Sequence, residues 1–211
     1  MKRHHLIAAT TAAVNVVALL VDTVMLVVTG ERTFITDDAQ GSMATAVGMS
    51  LWLGLTFAAM AVVANREADR FVAAGPLARR TRPVLLVCLL ALAAGFLTVG
   101  PARLVAGVEE GLLYDLSGLV AMLALTGVFV ASLVLGLAML RRNRLGVGGR
   151  VLGALGPVIL LTGVLALVAP SMTSPVYSTM VVLSGLALIG VPSRRGQARS
   201  QAAVASPTSA V

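Results

Sequence analysis

Charged residues are scarce in this sequence. They make up 12% of its 211 residues, whereas 58% are apolar and the mean hydropathy is +0.95. A soluble domain carries about 25% charged residues, so this chain has too little polar surface to cover a fold in water. The composition therefore excludes an ordinary soluble domain and favours a membrane protein.

Residue types that carry catalytic chemistry are scarce as well. Cys88 is the only cysteine, which excludes an intrachain disulfide. Histidine occurs only as His4 and His5, so the apolar segments hold no histidine pair for haem, and no HExxH motif is present. The only lysine is Lys2, which rules out a phosphate-binding Walker loop. The sequence therefore predicts a protein that is not an enzyme and has no cofactor, no catalytic residues and no metal site.

Long apolar runs are what the sequence does contain. A helix needs about 20 apolar residues to cross about 30 Å of hydrocarbon, and backbone polar groups in lipid must be satisfied within the helix itself. The fold class predicted is thus all-α, a polytopic integral membrane helix bundle with six transmembrane helices in one domain, residues 1–192. The predicted helices are 6–29, 43–64, 83–100, 116–140, 151–169 and 176–192. Residues 193–211 are rich in Ser, Ala, Gln and Arg, which is typical of a disordered tail.

The cationic residues predict the orientation. If all six segments cross, every Lys and Arg except Arg32 and Arg103 falls on one side of the membrane. The positive-inside rule then places both termini, and the disordered tail, in the cytoplasm. The predicted location is therefore the cell (inner) membrane.

The net charge of +7 raises the question of what the basic residues bind. They flank the predicted crossings, where arginines contact anionic lipids at the cytoplasmic face. They are not interleaved with aromatic residues, and no nucleic-acid recognition motif is present. The predicted partners are the lipid bilayer and its anionic lipids, together with a protein partner or a second copy of the chain, and not nucleic acid.

One predicted crossing carries a polar stripe. Asp22 is the only acidic or basic residue within the predicted crossings, and at 100° per residue Thr11, Asn15 and Asp22 lie on one face of the first helix. Charge inside a membrane is costly and must face other helices or water. Two readings stay open: a solute or proton pathway that uses Asp22, or an interhelical hydrogen-bond seam in which Arg103 neutralises Asp22.

The leading functional hypothesis is a non-enzymatic multi-pass membrane protein that is structural or accessory to a membrane complex. It rests on many helix-packing signals and no convergent polar site. The alternative is a small-solute or proton-coupled transporter or permease subunit that uses Asp22. A weaker hypothesis is a sensor whose arginine-rich loops recruit a cytoplasmic partner.

Overall fold

The computed structural model describes residues 2–30, 42–107, 110–140, 144–168 and 176–192. Within these ranges the chain is helical and contains no strand, which confirms the all-α fold class there. A π-helical segment, Gly95–Val99, joins the fourth and fifth helices. The helices are α1 Arg3–Thr29, α2 Met43–Arg66, α3 Ala68–Ala74, α4 Pro76–Ala94, α5 Gly100–Ala106, α6 Leu112–Met139, α7 Val147–Gly153, α8 Leu155–Val168 and α9 Val176–Ala187.

Five described segments are long and apolar enough to cross a membrane. They are Arg3–Thr29, Met43–Arg66, Pro76–Ala106, Tyr114–Met139 and Val147–Val168. The sixth predicted crossing is helical over the 12 residues of α9, or about 18 Å at 1.5 Å per residue, which is short of the hydrocarbon thickness. By length and composition these helices suit a membrane protein, whereas the count of six crossings stays a prediction. The predicted tail, 193–211, lies outside the described residues.

The third predicted crossing, 83–100, differs most from the structure. Its helix begins at Pro76, contains Pro83 in its interior and continues past Gly100 to Ala106. Pro76 suits the start of a helix because the first N–H groups have no partner there. The turn before Pro101 is π-helical, and the Gly100 N–H bonds to the Gly95 carbonyl, five residues back. This wider turn accommodates a proline that lacks the N–H group of a regular ladder, so the helical segment continues past Gly100 instead of ending there.

Several segments that are distant in sequence meet at one end of the bundle. The Glu67 carboxylate contacts the side chains at the start of α1 and lies against Gly190 after α9. The Gly190 N–H donates to the Leu145 carbonyl, and the Val147 N–H donates to the Val191 carbonyl, both at 2.9 Å. Described residues before α1, after α2, before α7 and after α9, all predicted to lie on the side with most of the cations, therefore lie together. The compartment that this end faces stays a prediction.

Glycines let α7 pack closely against its neighbours. A Cβ at Gly136 of α6 would overlap the Leu152 carbonyl oxygen of α7, and a Cβ at Gly148 of α7 would overlap the Gly185 carbonyl oxygen of α9. In lipid, such small residues allow backbones to approach and gain van der Waals contact. The close packing of α6, α7 and α9 therefore depends on glycine, which has no side chain, at positions 136 and 148.

Candidate functional site

The polar stripe of α1 lies inside the bundle. Thr11 is 8% exposed, Asn15 is 5% exposed and Asp22 is 3% exposed. The Asn15 side-chain amide donates to the Thr56 hydroxyl of α2 at 2.9 Å and to the Thr11 carbonyl at 2.8 Å. The Thr56 hydroxyl in turn donates to the Trp52 carbonyl at 3.0 Å. This hydrogen-bonded chain links α1 to α2, and the choice between a packing seam and a pathway through Asp22 stays a prediction.

A cavity of about 550 Å³ lies beside this seam, between α1, α2, α6 and α9. Asn15 and Ala18 form its wall on α1, Trp52 and Phe57 form its wall on α2, and Thr179 faces it from α9. Its surface is almost wholly apolar apart from the side chains of Asn15 and Thr179. Such a cavity accepts hydrocarbon groups far better than ions, because an unpaired charge there would lose its hydration.

Arg103 lies in α5, and its side chain contacts α6. Its Nη1 donates to the Ser117 hydroxyl at 2.8 Å, and its guanidinium carbon lies 4.0 Å from the centre of the Tyr114 ring. Its Nε is buried and has no hydrogen-bond partner among the residues that the structure describes. Arg103 lines a second cavity, of about 450 Å³, whose lining does not include Asp22. The predicted pairing of Asp22 with Arg103 therefore stays a prediction.

A second polar cluster lies at the end of the bundle where α2 passes into α3. The Glu67 Oε1 atom is 3.2 Å from Nε2 of His5, 3.4 Å from Nε2 of His4 and 3.2 Å from Nζ of Lys2. The Glu67 Oε2 atom is 2.7 Å from Nε of Arg70. The side chains of Glu67 and His5 are 3% and 4% exposed, respectively. The cluster therefore joins the start of α1 to the α2–α3 junction.

Local backbone geometry positions Glu67. It is the last residue before α3, its N–H bonds to the Val63 carbonyl of α2, and its own carbonyl accepts from the Arg70 N–H. Gly190, with φ of +87°, passes beneath the carboxylate, and a Cβ there would lie 2.6 Å from Oε2. Only glycine adopts that backbone angle without cost. The absence of a Cβ at Gly190 also leaves room for the Glu67 carboxylate.

The surroundings of Glu67 favour the charged carboxylate. Burial alone raises the pKa of this group, but hydrogen bonds from Lys2 and His4 and the nearby charges of Lys2 and Arg70 outweigh burial and hold the pKa below its usual range. Glu67 is therefore an anion at neutral pH, surrounded by donors.

The three groups His4, His5 and Glu67 can also act as ligands. One ligand atom from each lies within 4.8 Å of the others. The sequence predicted no metal site, because more than sixty positions separate the histidines from Glu67 and no linear spacing connects them. The only available signal was that the whole histidine content of the chain is one adjacent pair at the start of a helix.

The arrangement thus offers one hydrogen-bonded seam with an apolar cavity inside the bundle and one buried His-His-Glu cluster at its end. Comparison of this chain with protein-family models, curated proteins and solved structures found no match.

Proposed function

We propose that this chain is a non-enzymatic multi-pass protein of the inner membrane that serves as a structural or accessory subunit of a membrane complex, with α8 as its contact helix. The observation that carries the proposal is the sparse packing of α8, in which Leu155 is the only buried residue. The arginine distribution supports an orientation in which the Glu67 end faces the cytoplasm.

The exposure of α8 exceeds that of the other apolar segments. The most apolar window of Val147–Val168 is 11% buried, against 39% for Met43–Arg66. Leu160 and Leu167 are 73% and 87% exposed. At 3.6 residues per turn, the exposed positions of α8 cover about two thirds of its circumference. Few side chains of α8 are buried against the rest of the chain. Because helix association in lipid relies on close packing, such a helix fits a subunit whose neighbour supplies the remaining contacts.

Cysteine cross-linking in native membranes tests this proposal. In a Cys88→Ala background, Leu161→Cys on α8 is compared with Leu90→Cys on α4, since both leucines are more than half exposed. We expect the α8 cysteine to give a discrete product of higher mass, either a dimer or a complex with one partner, and the α4 cysteine to give none. Equal cross-linking from both positions, or none from α8, would contradict the proposal.

A transporter that uses Asp22 is the second candidate. Asp22 is 3% exposed and lies one helical turn beyond Ala18, which lines the 550 Å³ cavity. A buried carboxylate near a cavity is a typical element of proton relays. In proteoliposomes that show solute or proton flux, Asp22→Asn is expected to abolish it, whereas Asp115→Asn, at an exposed position, leaves it unchanged. Flux that survives Asp22→Asn would remove Asp22 from the mechanism.

A further inference from the structure

We propose that His4, His5 and Glu67 form a binding site for a divalent transition-metal ion of the zinc class at the end of the bundle. One ligand atom from each residue lies within 4.8 Å of the other two, and Nε2 of each histidine lies within 3.4 Å of Glu67 Oε1. This inference is independent of the accessory role, since it concerns the Glu67 end and not α8.

The spacing of the donor atoms fits a tetrahedral ion. Zinc binds imidazole nitrogen and carboxylate oxygen at about 2.0–2.2 Å, which places two ligands of a tetrahedron about 3.3 Å apart. In the structure, Glu67 Oε1 lies 3.2 Å from Nε2 of His5 and 3.4 Å from Nε2 of His4. The two separations to Glu67 thus match a tetrahedral ion, and a ring nitrogen of each histidine lies within 4.8 Å of one on the other.

The donor chemistry selects the ion class. Two imidazoles and one carboxylate suit Zn²⁺, Co²⁺ and Ni²⁺, whereas Mg²⁺ and Ca²⁺ prefer oxygen ligands. Three protein ligands leave a fourth position for water, as at open zinc sites.

The two cations beside Glu67 are compatible with an ion. Arg70 bonds to Oε2, so it leaves Oε1 as a ligand and fixes the orientation of the carboxylate, which is the role of a neighbouring group at many metal sites. Lys2 contacts Oε1, but its side chain is 68% exposed and can turn into water when the ion binds. The ion would thus replace one exposed ammonium group with a closer divalent charge.

Metal titration of the full chain tests the site. The protein, carrying an affinity tag without histidine, is stripped with chelator in mild detergent and titrated with Zn²⁺ by calorimetry and with Co²⁺ by visible absorption. We expect one ion per chain, with the intense visible bands of tetrahedral Co²⁺. His4→Gln and Glu67→Gln should each weaken Zn²⁺ binding tenfold or more, and Asp69→Asn, an exposed acid two residues from Glu67, should leave it unchanged.

His4→Gln is the decisive variant, because the His4 side chain is 19% exposed and its loss disturbs packing least. Its thermal unfolding is recorded beside the titration, so a misfolded sample is recognised. Absence of stoichiometric Zn²⁺ binding by the unmodified chain would overturn the proposal. Unchanged Zn²⁺ affinity in a folded His4→Gln protein would do so as well, and would leave the cluster as a hydrogen-bonded ion pair.

Discussion

Gly136→Val is expected to lower the free energy of unfolding by about 3 kcal/mol, the upper part of the range for overpacked interiors. A Cβ at Gly136 would overlap the Leu152 carbonyl oxygen and lie 2.6 Å from the Leu152 carbonyl carbon. Both atoms belong to the backbone of α7, which cannot turn aside as a side chain can. The α6–α7 crossing must therefore separate, and van der Waals contact along it is lost.

Denaturation of the purified protein in detergent measures this effect, and α6 supplies the matched control. Gly118 lies on the same helix, and a Cβ there meets nothing within 4 Å. Gly118→Val should therefore change the unfolding midpoint little, since helix propensity differs only slightly between the two residues. Equal destabilisation by Gly136→Val and Gly118→Val would show that close α6–α7 packing at Gly136 makes no specific contribution to stability.

Glu67→Ala is expected to cost about 2 kcal/mol of stability in metal-free protein, the scale of a hydrogen bond to a charged group. The substitution removes the acceptor shared by His4, His5 and Lys2 and the partner of Arg70. His5 is 3% exposed, so its ring would then be buried without its Glu67 contact. The exposed Lys2 and Arg70 return to water, which keeps the loss below that of a fully buried pair.

The unfolding free energies of these variants are measured by denaturation in detergent. Chelator in the buffer removes any contribution from bound metal. Asp69→Ala removes a neighbouring carboxylate that is exposed, so its effect should stay within about 0.5 kcal/mol. The loss of unfolding free energy in Glu67→Gln should lie between those of Asp69→Ala and Glu67→Ala, because an amide oxygen still accepts hydrogen bonds but carries no charge. If Asp69→Ala and Glu67→Ala destabilise equally, the cluster has no stabilising role.

Helix content and the bounds of three of the six predicted segments could be predicted from the sequence. The predicted segments 6–29, 43–64 and 116–140 differ from α1, α2 and α6 by a few residues at their ends. The prediction was wrong for 83–100, since the helical segment begins at Pro76 and continues to Ala106. A π-helical turn accommodates Pro101, and such a turn leaves no distinctive residue pattern.

The candidate site could be predicted only in part. The 3.6-residue period indicated that Thr11, Asn15 and Asp22 share one face, and all three are buried. The period could not reveal that Asn15 bonds to Thr56 on another helix. It could not place Arg103 either, whose described polar contact is with Ser117, 14 positions away on the next long helix.

The sequence by itself determined that this chain forms apolar helices suited to a membrane and that its cations cluster at their ends. These properties depend on windows of about 20 residues, in which hydropathy and backbone hydrogen bonding decide the outcome locally. Only the tertiary structure brought Glu67 to the histidines at the start of α1 and set Gly136 against the backbone of α7. Such contacts follow from side-chain volumes and helix crossings between distant segments, which no local pattern records.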